Sequence, residues 1–371
     1  MSRSPLSGRL PDFPWDRLAD ARIAAAAHPQ GLVDLSVGTP VDPVPQVVQR
    51  ALAEAADAPG YPTTQGTVPL REAALQWMNR RLGVSGIGAN AVLPALGTKE
   101  LVASLPLLLG LDAGSRVMVP ELAYPTYDVG ARVVGAEVIA SDATMAIGPG
   151  RVDLVWLNSP ANPTGRVLPS EHLRKVVMWA RERGAIVVSD ECYIELGWEA
   201  RPISVLHPDV CGPSPDGVLA LHSMSKRSNL AGYRAGFVAG DESLVSSLLE
   251  ARKHLGLLMP TPVQAALQAA LEDDAHVIEQ RQRYTARRQL LLAAVREAGF
   301  AVEHSEAGLY LWVTRGEPCM DTVAWFAERG VLVTPGDFYG VRGAQHVRVA
   351  LTASDERIES AATRIASGGV G

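Results

Sequence analysis

The run AIVVSDECY, residues 185–193, opens on apolar residues with no polar alternation and then meets a carboxylate, Asp190. A strand of that kind is covered on both faces, as in a parallel sheet sandwiched between helices. The pattern recurs in RVMVP (116–120), EVIAS (137–141), LVWLN (154–158), VLALHS (218–223) and AGFVAG (235–240). Helical stretches such as PSEHLRKVVMWARERG (169–184) separate several of them. The fold class is therefore α/β, with a large domain on a mostly parallel sheet. Ligands of such sheets bind beyond the carboxyl ends of the strands. That directs attention to LNSPANPTG, SDECY and SMSK, each of which follows a strand.

Outward from this centre, residues up to about 30 are Pro-rich and then Ala-rich, and read as an extended arm followed by a helix. GLVDLSVGTPVDPVP (31–45) is a short strand entering a loop, because its prolines deny helix to the residues before them. Residues 46–57 and 68–83 have helical periodicity, the second ending at Gly83 as a C-cap. KELVASLPLLLGL (99–111) is an apolar helix that must be buried. Residues from about 261 to 298 read as one long helical region. The strands and helices after it form a smaller α+β unit, joined by the N-terminal segment. The expected division is 1–50 (arm and part of the small domain), 51–265 (large domain) and 266–371 (small domain).

Composition narrows the function. The chain has 371 residues, 47% hydrophobic and 20% charged, as in a globular enzyme with a sizeable core. A net charge of −6 gives no electrostatic reason to expect nucleic acid or an anionic membrane as partner. No apolar run approaches the roughly 20 residues that span a bilayer, and the N-terminus lacks a signal-peptide pattern. Cys192, Cys211 and Cys319 have neither metal-ligand spacing nor the look of a disulfide framework. A reduced, cytoplasmic protein without a metal site is expected.

Only four lysines are present. Lys175 and Lys253 sit in charged amphipathic helices and read as solvated, whereas Lys99 opens a helix whose free N–H groups suit an anion. Lys226, in HSMSKRSNLAGYRAG (222–236), follows a strand among serines and small residues. A lysine that attacks a carbonyl needs such a desolvated, cationic pocket; on position alone, a lysine paired with a carboxylate explains it equally well. Its neighbours favour the first reading. Ser223, Ser225 and Arg234, with Thr98 and Lys99, make a phosphate-binding set. Asp190 suits a pyridinium nitrogen, Tyr193 and Asn162 a phenolic oxygen, and Tyr124 a ring face. Singly these residues read as a strand cap, a turn former and core; together they meet the binding demands of pyridoxal 5′-phosphate.

The ordered series NPTG, DECY, SMSK, GYRAGF and VRVALT resembles the fold-type I, class I/II aminotransferases across nearly the whole chain. The resemblance implies that Lys226 bonds the cofactor aldehyde, Asp190 pairs with the ring nitrogen, and Asn162 and Tyr193 bind the ring oxygen. It implies that Arg234, Ser223, Ser225, Thr98 and the Lys99 amide hold the phosphate. Arg348 would clamp the substrate carboxylate, with Gly38 against the same group. Tyr61, in YPTTQG, would reach the phosphate site of a neighbouring subunit, which implies a homodimer. A closer likeness, carried by LPDFPWDRLADAR, GTKELVASLP, PELAYPTYDVGAR and TPGDFYG, is to N-succinyldiaminopimelate aminotransferases of lysine biosynthesis. That implies exchange between N-succinyl-LL-2,6-diaminopimelate with 2-oxoglutarate and N-succinyl-2-amino-6-oxopimelate with glutamate. Arg22 and Arg166 are then candidates for a distal carboxylate.

Three other readings remain: an aminotransferase for aspartate or another common amino acid and a C–S lyase, which share the cofactor residues, and, from a different class, a non-catalytic aminotransferase-like ligand sensor. GVSGIG (83–88) has the wrong glycine spacing, and no strand ahead of it, for a dinucleotide site.

Overall fold

The computed structural model describes residues 5–11, 14–148 and 150–368. Thirteen strands are assigned among them. They are β1 (Val33–Asp34), β2 (Val92–Leu96), β3 (Arg116–Val119), β4 (Glu137–Ala140), β5 (Leu154–Asn158), β6 (Ile186–Asp190) and β7 (Val218–Ser223). Then follow β8 (Ala235–Gly240), β9 (Ala301–Glu303), β10 (Tyr310–Thr314), β11 (Val331–Leu332), β12 (Thr334–Pro335) and β13 (His346–Ala350). Strands β2 to β8 form one sheet in the order β2-β8-β7-β6-β5-β3-β4. It is parallel from β7 to β4, while β8 runs antiparallel to both neighbours.

β5, β6, β7 and β8 are apolar because both faces are covered. One face packs on Trp77, Val176 and Ala266, from the helices Val68–Leu82, Ser170–Arg181 and Thr261–Glu272. The other packs on Leu101, Tyr127 and Leu248, from the helices Thr98–Leu108, Thr126–Val134 and Glu242–Leu255. Helix ends follow local chemistry: Thr67 Oγ1 accepts from Leu70 N, and Gly83 closes Val68–Leu82 in the left-handed conformation at φ 68°.

A second core surrounds the antiparallel sheet β12-β13-β10-β9. The helices Ala275–Glu297, Cys319–Glu328 and Asp355–Ala366 cover it. The N-terminal segment joins this core through Leu18, Val33 and Leu35, and β1 pairs with β11.

Three local expectations change. The described part of the Pro-rich arm is not extended: it forms 3₁₀ turns at Leu6–Arg9 and Pro14–Leu18 before the helix Ala19–Ala26, since proline's fixed φ also suits 3₁₀ geometry. Residues 1–4, 12 and 13 of that arm lie outside the described residues. The long C-terminal helix is two, Thr261–Glu272 and Ala275–Glu297, divided at Asp273, whose carboxylate accepts from the His276 amide. β2 has no counterpart among the sequence-read strands because Pro94 sits in its middle; as an edge strand it tolerates the missing donor.

Phe326 is fully buried and packs on Phe300, ring centroids 5.2 Å apart. Phe326→Ala is expected to lower the unfolding free energy by about 3–5 kcal/mol, measured by urea denaturation.

Candidate active site

A cavity of about 540 Å³ opens beyond the carboxyl ends of β5, β6 and β7, where the two cores meet. Adjacent strand ends deliver its floor. Asn158 and Asp190 are in register as the last residues of β5 and β6, and Ser223 ends β7. Asn158 ties two of these points together: its Nδ2 donates to the Asp190 carbonyl at 2.9 Å, and its Oδ1 accepts from the Asn162 amide at 2.7 Å.

The Asp190 carboxylate is buried. Tyr127 donates its hydroxyl to Oδ2 at 2.9 Å, and the Cys192 amide donates to Oδ1 at 3.2 Å. Tyr127 in turn stacks on Trp156 at 4.7 Å, which fixes its direction. Burial pushes the Asp190 carboxyl above its usual range, and the hydrogen bonds from Cys192 and Tyr127 only partly offset this. No lysine or arginine among the described residues pairs with it.

Lys226 follows Ser223 on the short turn of helix Met224–Arg227, its amine lying against the Gly38 carbonyl. Burial, reinforced by the positive charges of Arg348 and Arg234, holds its pKa below the ordinary lysine value, against the opposing pull of Tyr310 and Cys192.

Arg348, on β13, is 3% exposed. It donates to Asn162 Oδ1 at 2.8 Å and to the Ser36 carbonyl at 2.7 Å, and its guanidinium carbon lies 3.9 Å from the Tyr310 ring centre. All these partners are neutral, and its Nε has no hydrogen-bond partner. The Tyr310 hydroxyl meets that of Tyr193 at 3.0 Å. Burial works to raise the Tyr310 hydroxyl, yet Arg348 and Lys226 bring it below the usual phenol value; the Tyr193 hydroxyl is pushed up by burial and by Tyr310.

The far end of the cavity is lined by Thr98 and Lys99 at the start of helix Thr98–Leu108, and by Ser223, Ser225 and Arg234. Gly97 precedes that helix at φ 78°, and a Cβ there would collide with the Arg234 guanidinium. Arg234 itself holds φ 56°, a left-handed conformation rare for a side-chain-bearing residue. Helix N–H groups, hydroxyls and a guanidinium around one concavity suit a phosphate. Tyr124 also lines the cavity.

Every residue of the sequence-read set except Tyr61 lines this cavity; Tyr61 is fully exposed on the chain's surface. Of the distal candidates, Arg22 pairs with Asp34 at 2.8 Å and Arg166 borders a different, 230 Å³ pocket, so neither lines the main cavity. Sequence reading passed over Asn158, Tyr127, Cys192 and Tyr310. Tyr127 lies in the quoted PELAYPTY beside Tyr124, the one signal that a second aromatic was available there.

Among the described residues, a buried carboxylate without a cationic partner, a partly buried amine and a buried guanidinium without carboxylates, and a phosphate cradle converge on one space. They fit a ligand with a protonated ring nitrogen, an aldehyde and a phosphate, and they define a pyridoxal 5′-phosphate enzyme. The chain belongs to the class I and II aminotransferases, whose family pattern it matches over residues 30–365. It is 61% identical over 364 residues to a probable aminotransferase of Mycobacterium tuberculosis, covering 98% of this chain and 87% of that protein. It is 58% identical over 356 residues to a 4-dedimethylamino-4-oxo-anhydrotetracycline transaminase of Streptomyces rimosus, covering 96% and 99%. Among solved structures, a probable N-succinyldiaminopimelate aminotransferase of Thermus thermophilus superposes with a TM-score of 0.86 at 28% identity, covering 96% and 100%. The protein is a pyridoxal phosphate-dependent transaminase.

Tyr127→Phe removes one hydrogen bond to a buried carboxylate while keeping the ring. It is expected to weaken pyridoxal phosphate binding roughly ten- to a hundredfold, measured by fluorescence titration of the apoprotein.

Proposed function

We propose that this transaminase exchanges the amino group between an L-α-amino acid and a 2-oxo acid, with both reactants held by Arg348. The observation that carries this is the guanidinium itself: buried beside the Lys226 pocket, with neutral partners only and an unpartnered Nε. A buried cation of this kind is strongly stabilised by a carboxylate ligand.

In this reading Asp190 holds the cofactor's ring nitrogen in its protonated form, Asn162 and Tyr193 hold the ring oxygen, and Tyr124 covers a ring face. Thr98, the Lys99 amide, Ser223, Ser225 and Arg234 hold the phosphate. When bound, pyridoxal phosphate supplies the electron sink that stabilises negative charge on the substrate's Cα. Lys226, its pKa depressed, takes the proton from that Cα and returns one to the oxo-acid partner's carbon in the reverse half. Arg348 and the close approach at Gly38, where a Cβ would collide with the Tyr310 hydroxyl, fix which Cα bond faces Lys226. The balance is simple: one amino group and one hydrogen move to the oxo acid, and one carbonyl oxygen moves back. Tyr61 is assigned to the neighbouring subunit's phosphate site in a homodimer.

Trp15, Val37 and Thr39 also line the cavity, none of them cationic. This favours a broad amino-acid substrate range over one demanding a second carboxylate clamp within the protomer. The second reading, N-succinyl-LL-2,6-diaminopimelate with 2-oxoglutarate, is supported by the likeness to the Thermus thermophilus protein.

Half-reactions separate the two. Glutamate, aspartate, alanine and N-succinyl-LL-diaminopimelate are added singly to the yellow holoenzyme while its visible band is followed. Conversion by aspartate and alanine as well as glutamate is expected; conversion by the succinylated compound and glutamate, with aspartate and alanine inert, would establish the second reading. Lys226→Ala is expected to convert none of them. Arg348→Gln is expected to lower kcat/KM for glutamate by about two to three orders of magnitude, with cofactor retained. Release of pyruvate and ammonia from cystathionine without any oxo acid would instead indicate a lyase.

A further inference from the structure

Next to the cavity floor lies a small void of about 10 Å³, set among Trp77, Glu191, Glu195, His222 and Arg227. Such a space accommodates one water molecule. The surrounding polar atoms are left over from all other bonding. Glu191 Oε2, both ring nitrogens of His222 and Nη2 of Arg227 are buried without hydrogen-bond partners. Glu191 and His222 are each 1% exposed, and Arg227 is 4% exposed.

Glu191 Oε1 is already used, accepting from the Val205 amide at 2.7 Å. Arg227 Nη1 is used as well, donating to the Ala270 carbonyl at 3.1 Å, and its Nε lies against Glu195. Glu191 Oε2 and His222 Nε2 stand 3.7 Å apart, beyond direct hydrogen bonding. Leaving buried polar groups unsatisfied is costly, which favours a bridging partner at this place.

The void adjoins the machinery of the site. Glu191 follows Asp190 in the chain, His222 precedes Ser223, and Cys192 and Ser223 border the void on one side and the large cavity on the other. We propose that the void holds a single ordered water bridging Glu191, His222 and Arg227, and that this bridged, uncharged pair positions the cofactor-facing ends of β6 and β7 from behind. The water accepts from Arg227 Nη2 and from the Glu191 carboxyl, and donates to a His222 ring nitrogen. Glu191 and His222 are positioning residues, since neither lines the large cavity.

Titration agrees with an uncharged pair. Burial raises the Glu191 carboxyl to about 7, with Asp190 adding repulsion, and lowers His222 to about 3, with Arg227 adding repulsion. The other charged or titratable groups at the void are Glu195 and Cys192. Because the folded value of Glu191 lies above its unfolded value of 4.5, its contribution to stability is fully present below that pH and lost as pH rises to about 7.

The test is a crystal structure of the pyridoxal phosphate-loaded enzyme at a resolution that shows ordered water. The expected result is a peak about 2.7–3.2 Å from Glu191 Oε2, a His222 nitrogen and Arg227 Nη2. An empty void, or a direct Glu191–His222 contact, overturns the site. Glu191→Gln keeps a neutral, bridging side chain, so its melting temperature relative to wild type should rise between about pH 5 and pH 8; a pH-independent difference overturns the uncharged pair. His222→Leu should speed loss of pyridoxal phosphate roughly tenfold, while Glu191→Gln leaves it unchanged; equal retention in both overturns the positioning role. If His222→Leu fails to fold, wild type and Glu191→Gln still decide the site and its charge.

Discussion

Three charged groups at one cavity, Asp190 and Arg348 buried and Lys226 partly so, have no ionic partner among the described residues and set the terms for the rest of this structure. Asp190, Lys226 and Arg348 face one cavity, each satisfied locally by neutral groups alone. Isolated charges in a protein interior are costly, and neutral hydrogen bonds offset only part of that cost. The two cores are built to withstand it. Tyr127 is locked by stacking on Trp156 before it donates to Asp190, and Arg348 is held between Asn162 and the Ser36 carbonyl. The cofactor and substrate carry the complementary charges, so the fold stores a mismatch that binding resolves.

Topology explains why these groups meet. Parallel strands bring their carboxyl ends to one edge, and in-register pairing sets Asn158 beside Asp190. Reversal of β8 returns the chain so that Arg234, just ahead of it, stands over the start of helix Thr98–Leu108. The antiparallel sheet contributes from the opposite side, with Tyr310 on β10 paired to Ala350, two residues beyond Arg348 on β13. No single stretch of chain contains the site; the ends of strands from two sheets and one helix start define it.

Much of this could be read from the chain because polar residues at or just beyond the ends of apolar runs, each with a bland explanation taken singly, together meet the demands of one ligand. Asp190, Ser223 and Lys226 announce themselves that way. Tyr127 and Tyr310 do not. Each sits where an aromatic reads as core, Tyr310 in an apolar run and Tyr127 at a helix start, and each is core as well as a hydrogen-bonding group: Tyr127 is fully buried and Tyr310 is 4% exposed. Only the tertiary position of a hydroxyl separates the two roles. β2 escaped notice because Pro94 argues against a strand unless the strand is known to lie at an edge, a fact of topology that local pattern does not hold. The division of the last long helix was hidden because Asp273 and Asp274 also suit an exposed helical surface. Substrate choice is the least legible, since two relatives of about 60% identity carry different descriptions.

The loop at Ser36–Gly38 is gripped by three successive carbonyls. That of Ser36 accepts from Arg348 and Thr334, that of Val37 from Thr352, and that of Gly38 from Lys226. The amine proposed to react is therefore also a tether. Any carbonyl compound that captures Nζ competes with the Gly38 oxygen, and its apparent affinity falls by whatever that contact contributes. Loosening the backbone at Gly38 would strengthen capture and weaken the loop together, through one shared atom.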